Sequence, residues 1–162
     1  MTDKKILIAY YSFGGNTKRI AKMIQKEIGG DLYPIQTIEA YKGSYNDIVE
    51  QGQKEVNSKF KPAIKQVDLN VADYDTIVLG SPVWWYTFAP AMLTFLSQNN
   101  FADKKIYPFA TNAGWIGRTM KDYEKACVGA DVKKVLMSCS TKKISKLLKA
   151  KSLIGFTLYI KF

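Results

Sequence analysis

The 162-residue sequence contains no histidine. That removes the commonest general base near neutral pH, the Ser/His/Asp and Cys/His arrangements built on it, and the commonest nitrogen ligand for metals. Cysteine is nearly as scarce. Cys127 and Cys139 form no CxxC pair, and no imidazole is present to share a zinc ion or activate a thiol. No metal site and no catalytic side chain is therefore expected, and the absence points towards a bound cofactor as the carrier of any chemistry. Long apolar runs are missing as well, with nothing near the roughly 20 residues that span a bilayer. Met1-Thr2-Asp3-Lys4-Lys5 leads straight into a strand-like run, without the apolar stretch and small-residue cleavage site of a secretory signal, so a cytoplasmic location is expected. Repeats and low-complexity tracts are absent. A composition of 47% hydrophobic and 23% charged residues excludes disordered and fibrous classes. The length suffices for one domain with a real core and is cramped for two, so residues 1–162 read as a single domain.

Acidic residues are missing from one stretch. All fourteen lie in residues 1–131, where sixteen basic residues nearly balance them, whereas residues 132–162 hold eight lysines and no acid. The net charge of +10 therefore belongs to the ending and does not describe the whole surface. Three readings of the ending stay open. It is a cationic tail for a membrane, nucleic acid or acidic partner. It is a divergent fifth strand over Val132 to Met137 with a helix carrying Ile144, Leu147 and Leu148 on one face. Or the stretch after Lys134 is translated out of frame, the preferred reading, because restoring one base there yields a better buried strand. In the last segment Phe156, Leu158, Ile160 and Phe162 alternate like an exposed, association-prone strand edge. No functional residue is assigned to this ending, nucleic acid and a membrane span are not expected partners, and a homodimer stays open.

What is present is an alternation. Lys5 to Tyr11 is an unbroken apolar run, as in a strand buried on both faces of a parallel sheet. From Thr17 the spacing becomes helical, with Ile20, Ala21, Ile24 and Ile28 on one face and Gly29-Gly30 as a stop. Asp31 to Gln36 reads as a second strand, with Pro34 suited to an edge, and Asn46 to Ser58 as a polar helix. Asp75 to Gly80 reads as the third strand and Ser81 to Ala89 as its loop. Pro90 opens a helix over Ala91 to Ser97. Lys105 to Ala110 is the fourth strand, Thr111 to Gly117 its loop, and a helix with Met120, Tyr123 and Cys127 follows. Strand and helix alternating four times predicts an α/β doubly wound parallel sheet, with ligands at the loops after the strands.

Three such loops stand out. Ser12-Phe13-Gly14-Gly15-Asn16-Thr17 joins strand to helix, so backbone N–H groups and the positive end of the helix dipole converge, and adjacent glycines let the backbone approach an anion. It lacks the GK[ST] ending of a Walker A loop and the spacing of a dinucleotide fingerprint. A tight turn with a threonine cap is the plainer reading. Pro82-Val83-Trp84-Trp85-Tyr86 places three large aromatics in a row outside core spacing, as walls for a planar ligand; packing of a tryptophan beneath the next helix is the alternative. Thr111-Asn112-Ala113-Gly114-Trp115-Ile116-Gly117 offers small residues whose amides can reach a ring edge, with Trp115 flanking it.

Tyr11-Ser12-Phe13-Gly14-Gly15-Asn16-Thr17 after a buried strand resembles the phosphate loop of the flavodoxin-like FMN-binding proteins, and the Pro-Val-Trp-Trp loop resembles one branch of them. The resemblance covers roughly residues 4–131. It implies a three-layer α/β/α flavodoxin-like fold with strand order 2-1-3-4-5 and non-covalent FMN. Ser12, Gly15, Asn16 and Thr17 match the loop, while Phe13 and Gly14 stand where the family has hydroxyl residues. The ring-side loops implied are Pro82 to Tyr86, and Thr111 to Gly114 with Trp115 and Gly117. Electron-carrying members place a glycine beside flavin N5 so that a peptide can flip, and they tend to be acidic. Here no glycine occurs among Trp84-Trp85-Tyr86, and residues 1–131 are near neutral. Both departures favour an FMN-dependent oxidoreductase, taking electrons from NAD(P)H or a flavoprotein and passing them to a quinone-like acceptor. A one-electron carrier without its own substrate site, and a non-redox phosphate-binding or regulatory module, are the alternatives.

Overall fold

In the computed structural model, which describes residues 5–112, 114–133, 135–138 and 157–161, eight strands and four α-helices succeed one another among the described residues. β1 (Ile6–Tyr11) leads through a loop into α1 (Asn16–Ile28), followed by β2 (Asp31–Ile35) and α2 (Tyr45–Ser58). β3 (Thr76–Trp84) and β4 (Thr87–Phe88) precede α3 (Pro90–Gln98), and β5 (Lys105–Asn112) precedes α4 (Thr119–Ala126). β6 (Asp131–Val132), β7 (Val135–Ser138) and β8 (Thr157–Lys161) complete the order. The sheet runs β2-β1-β3-β5-β8-β7, every pairing along it parallel. This is the expected doubly wound α/β arrangement. β2, which carries Pro34, lies at the edge where its missing N–H is harmless.

β1 shows why its sequence has no polar break. Leu7, Ala9 and Tyr11 face a core layer containing Met92 and Phe95 of α3 and Tyr123 of α4, while Ile8 and Tyr10 face Ile20, Ala21 and Ile24 of α1. Leu7 and Ile8 are both fully buried, and each such side chain contributes about 1.5–3 kcal/mol by leaving water. Gly80 in β3 leaves the space that the ring of Phe109 fills: a Cβ there would stand 2.1 Å from that ring.

Three sequence expectations change. β3 does not stop at Gly80. It continues through Ser81, Pro82, Val83 and Trp84, and the chain returns as a hairpin, with Val83 opposite Phe88 and Trp84 opposite Thr87. Ser81 can be buried in a strand because its hydroxyl accepts from the Ala89 amide (2.9 Å) and donates to the Pro82 carbonyl (2.9 Å). β5 likewise runs on to Asn112, so Thr111 and Asn112 are strand residues and Thr111 pairs in register with Pro82. The fifth strand over Val132 to Met137, one of the three readings left open for the ending, is split. Among the described residues β6 pairs only with the start of β5, whereas β8 takes the place beside Ala110, Thr111 and Asn112 and pairs on its other side with β7. β8 is thus inside the sheet rather than an exposed edge, because it fits the register left open beside the far half of β5. The helix expected around Ile144, Leu147 and Leu148 lies outside the described residues.

Candidate functional site

The three loops singled out in the sequence meet at one rim of the sheet. α1 begins directly after Gly15, whose φ of +88° is open to glycine at no steric cost. Among the described residues no side chain caps this helix; its first internal bond is Arg19 N–H to the Gly15 carbonyl (2.9 Å), so the amides before Arg19 lack intrahelical acceptors. A Cβ built on Gly14 or Gly15 meets nothing within 4 Å, which leaves open space in front of the turn. Beside it the Ser12 hydroxyl is buried with no hydrogen-bond partner among the described residues. A buried unpartnered hydroxyl next to uncapped helix amides has the chemistry of a site for an anion's oxygens.

Thr17 is 1% exposed and points inward, where its hydroxyl bonds to that of Thr111 at the end of β5 (2.8 Å). This bond spans 94 positions of sequence and ties the first loop to the third. A cavity of about 260 Å3 lies between them, lined by Phe13, Gly14, Asn16 and Thr17 from the first loop, Pro82 and Trp84 from β3, and Thr111 and Asn112 from β5. None of these residues carries a charge.

The aromatic residues divide into two groups. Trp84 is half-buried in a cluster with Tyr11, Phe13 and Tyr41, at ring-centroid distances of 5.9, 5.8 and 5.1 Å, and it packs against Gly52 of α2. Phe13 therefore anchors the first loop to this wall in place of a hydroxyl donor. Trp84 is thus packed on one side, against α2, the helix that precedes it in sequence. Behind Phe13 and Trp84 lies a second cavity of about 310 Å3, with Tyr45, Ile48, Val49, Gly52, Val83 and Trp85 as the remaining lining. Burial and the adjacent Glu55 carboxylate, which accepts a hydrogen bond from Tyr41 (2.5 Å), push the Tyr41 phenol far above its ordinary range; burial does the same to Tyr11. The sequence reading missed Tyr41, because it lies in a stretch without helical or strand periodicity.

Trp85 and Tyr86 form the two-residue turn of the β3–β4 hairpin, with φ of +46° and +69°. Positive φ at both positions is the hairpin geometry that favours Asn-Gly, so here two bulky residues are held in a region they rarely adopt. Specific bonds hold them. The Trp85 indole donates to the Val49 carbonyl (3.0 Å), and the Tyr86 carbonyl accepts from the Arg118 amide (2.7 Å). Gly117, at φ +55°, passes so close to Tyr86 that a Cβ would stand 2.4 Å from its carbonyl oxygen. Thr87 donates to Asp122 of α4 (2.6 Å), which is also bonded by Arg118. The Tyr86 and Trp115 rings, 51% and 68% exposed, touch at a centroid distance of 5.0 Å. A flat ring stacked between them needs about 7 Å, twice an ordinary carbon contact, so they must part to admit one. Asn112 accepts from the Gly114 amide (2.7 Å). Ala113 lies outside the described residues.

A flavodoxin family model matches residues 5–150. The chain belongs to the flavodoxin family. A candidate flavoprotein of Bacteroides eggerthii shares 30% identity over 93% of this chain and 99% of its own, with a TM-score of 0.79. A Lactobacillus acidophilus flavoprotein solved in complex with FMN has the same fold, with a TM-score of 0.71, 24% identity, and 96% and 93% of the two chains covered. Among curated relatives, an uncharacterized NAD(P)H oxidoreductase of Escherichia coli, YcaK, is 27% identical over 81 residues, 48% of this chain and 41% of that protein. A Haemophilus influenzae flavodoxin is 29% identical over 101 residues, 60% of this flavodoxin-family chain and 44% of the relative. The chain thus spans less than half the length of either curated relative.

Proposed function

We propose that this flavodoxin-family chain binds FMN non-covalently at the rim and works as an oxidoreductase, moving electrons from NAD(P)H or a flavoprotein donor to a quinone-like acceptor. FMN, when bound, supplies the redox chemistry through its ring. The residues present fit it: the partnerless Ser12 hydroxyl, the uncapped start of α1 and the open turn at Gly14-Gly15 suit its phosphate, and Trp84, Tyr86 and Trp115 supply flat faces near the ring-side loops. The FMN complex of the L. acidophilus protein and the name of the E. coli relative support the same reading.

The observation that carries the enzyme over the carrier is the Trp85-Tyr86 turn. It already occupies positive φ with bulky residues and is fastened to α2 and to the third loop, so a peptide flip there, which a glycine would make easy, is opposed on both sides. The uncharged 310 Å3 cavity sharing Phe13 and Trp84 with the phosphate cavity suits a flat neutral acceptor. The test is direct. Purified protein should be yellow or take up added FMN, release it on denaturation, be reduced in one two-electron step during redox titration, and oxidise NAD(P)H with a quinone. Two well-separated one-electron steps without quinone turnover would favour the carrier; a protein that ignores FMN would end the reading.

A further inference from the structure

Thr111 entered as a ring-edge candidate, yet its hydroxyl is turned to the other end of the cavity, towards Thr17. Both side chains are almost wholly buried, at 5% and 1% exposed. Each hydroxyl has one proton and two lone pairs. Their mutual bond uses one proton, and neither hydroxyl has a further protein partner among the described residues. One buried O–H donor is left over, on a pair that lines the cavity together with Gly14 and Asn16. Buried donors are rarely left unmade.

We infer that Thr111 is a positioning residue for the phosphate end of the site: it donates to Thr17 Oγ1, so that Thr17 keeps its own proton for a phosphate oxygen. This rests on the FMN reading. A phosphate oxygen is a pure acceptor and fixes the direction of the chain, Thr111 to Thr17 to phosphate, and a donor that is itself accepting a bond donates more strongly. The effect matters more here because none of the described residues lining the cavity is charged, which leaves neutral donors to hold the anion. Thr111 thereby helps distinguish FMN from riboflavin without belonging to the phosphate loop, and its place next to Asn112 in β5 joins the two ends of the site mechanically.

The test measures binding of FMN and of riboflavin to apoprotein by quenching of flavin fluorescence. Thr111→Val, which keeps the shape and removes the hydroxyl, should weaken FMN about three- to tenfold, the range of one hydrogen bond, and move riboflavin by less than about twofold. Thr111→Ser should restore most of the FMN affinity. In a Thr17→Val background the Thr111→Val change should have no further effect on FMN, because its target is gone. Circular dichroism and thermal melts verify that each variant is folded; should Thr111→Val fail to fold, Thr111→Ala takes its place in the same cycle. Equal weakening of both flavins would return Thr111 to the ring side and overturn the inference, as would additive effects of the two threonines or an FMN affinity indifferent to Thr111. Wild-type protein that binds neither flavin would sink the cofactor reading itself, which none of the other outcomes does.

Discussion

The two ends of the rim, proposed to take the phosphate and the ring of FMN, are built on opposite plans. At the phosphate end a glycine turn, an uncapped helix and three buried hydroxyls are set before any ligand arrives, with little exposed surface beyond Phe13 and the turn itself. At the ring end the backbone is fastened but strained, and the side chains that would touch a ligand, Tyr86 and Trp115, lie in solvent and lean on each other. An anion needs donors at fixed points, so its site gains from rigidity. A flat ring needs surfaces that can part and close, so its site stores strain in the turn and leaves the rings free.

The sharpest way to break this comparison is at Gly15. Gly15→Val forces a β-branched residue into a left-handed conformation costing about 1–2 kcal/mol or more, so the turn relaxes away from its anion-ready shape. FMN affinity should fall at least about tenfold in fluorescence titrations, with riboflavin affected less. Equal loss of both would show that the turn does not act through the phosphate.

A smaller effect of opposite sign is expected at the other end. Tyr86→Gly removes the left-handed penalty, partly offset by the freer unfolded chain, so urea denaturation should show a gain of up to about 1 kcal/mol. The same variant loses an aromatic face and should bind FMN roughly three- to tenfold more weakly. A clear loss of stability would mean that the turn is not strained.

The third expectation leaves neutral pH untouched. Tyr11 and Tyr41, whose rings pack against Trp84, have phenols raised by burial above 10.0, and burial raises the Cys127 thiol from 9.0 to about 12. In each case the fold favours the protonated form. The stability they contribute is complete below pH 9–10, where the unfolded chain is also protonated, and drains as pH rises further towards the folded values. Urea midpoints should therefore be flat up to about pH 9 and then fall. Tyr41→Phe should shallow that fall, and an unchanged slope would remove Tyr41 from the account.

The parts legible in sequence were those that depend on neighbours along the chain. The apolar run of β1, the helical spacing of Ile20, Ala21 and Ile24, Pro90 at a helix start and the glycine turn before Asn16 each follow from local preferences, and all four are seen. Where local signals misled, a distant partner had overruled them. Ser81-Pro82 reads as a break, yet β5 on one side and the Ala89 amide on the other hold it in a strand. Val132 to Met137 reads as one strand, yet β8, more than twenty positions on, claims the space beside β5.

By itself, the sequence determined the alternation of strands and helices, the rim at which the loops gather and the open glycine turn of the first loop, because hydrophobic periodicity and glycine placement act over a few residues. The tertiary structure alone decided that Trp84 is half wall and half core, that Trp85 and Tyr86 bear positive φ, and that the hydroxyls of Thr111 and Thr17 meet. Those three outcomes depend on contacts between segments some 30 to 90 positions apart, which no local pattern encodes.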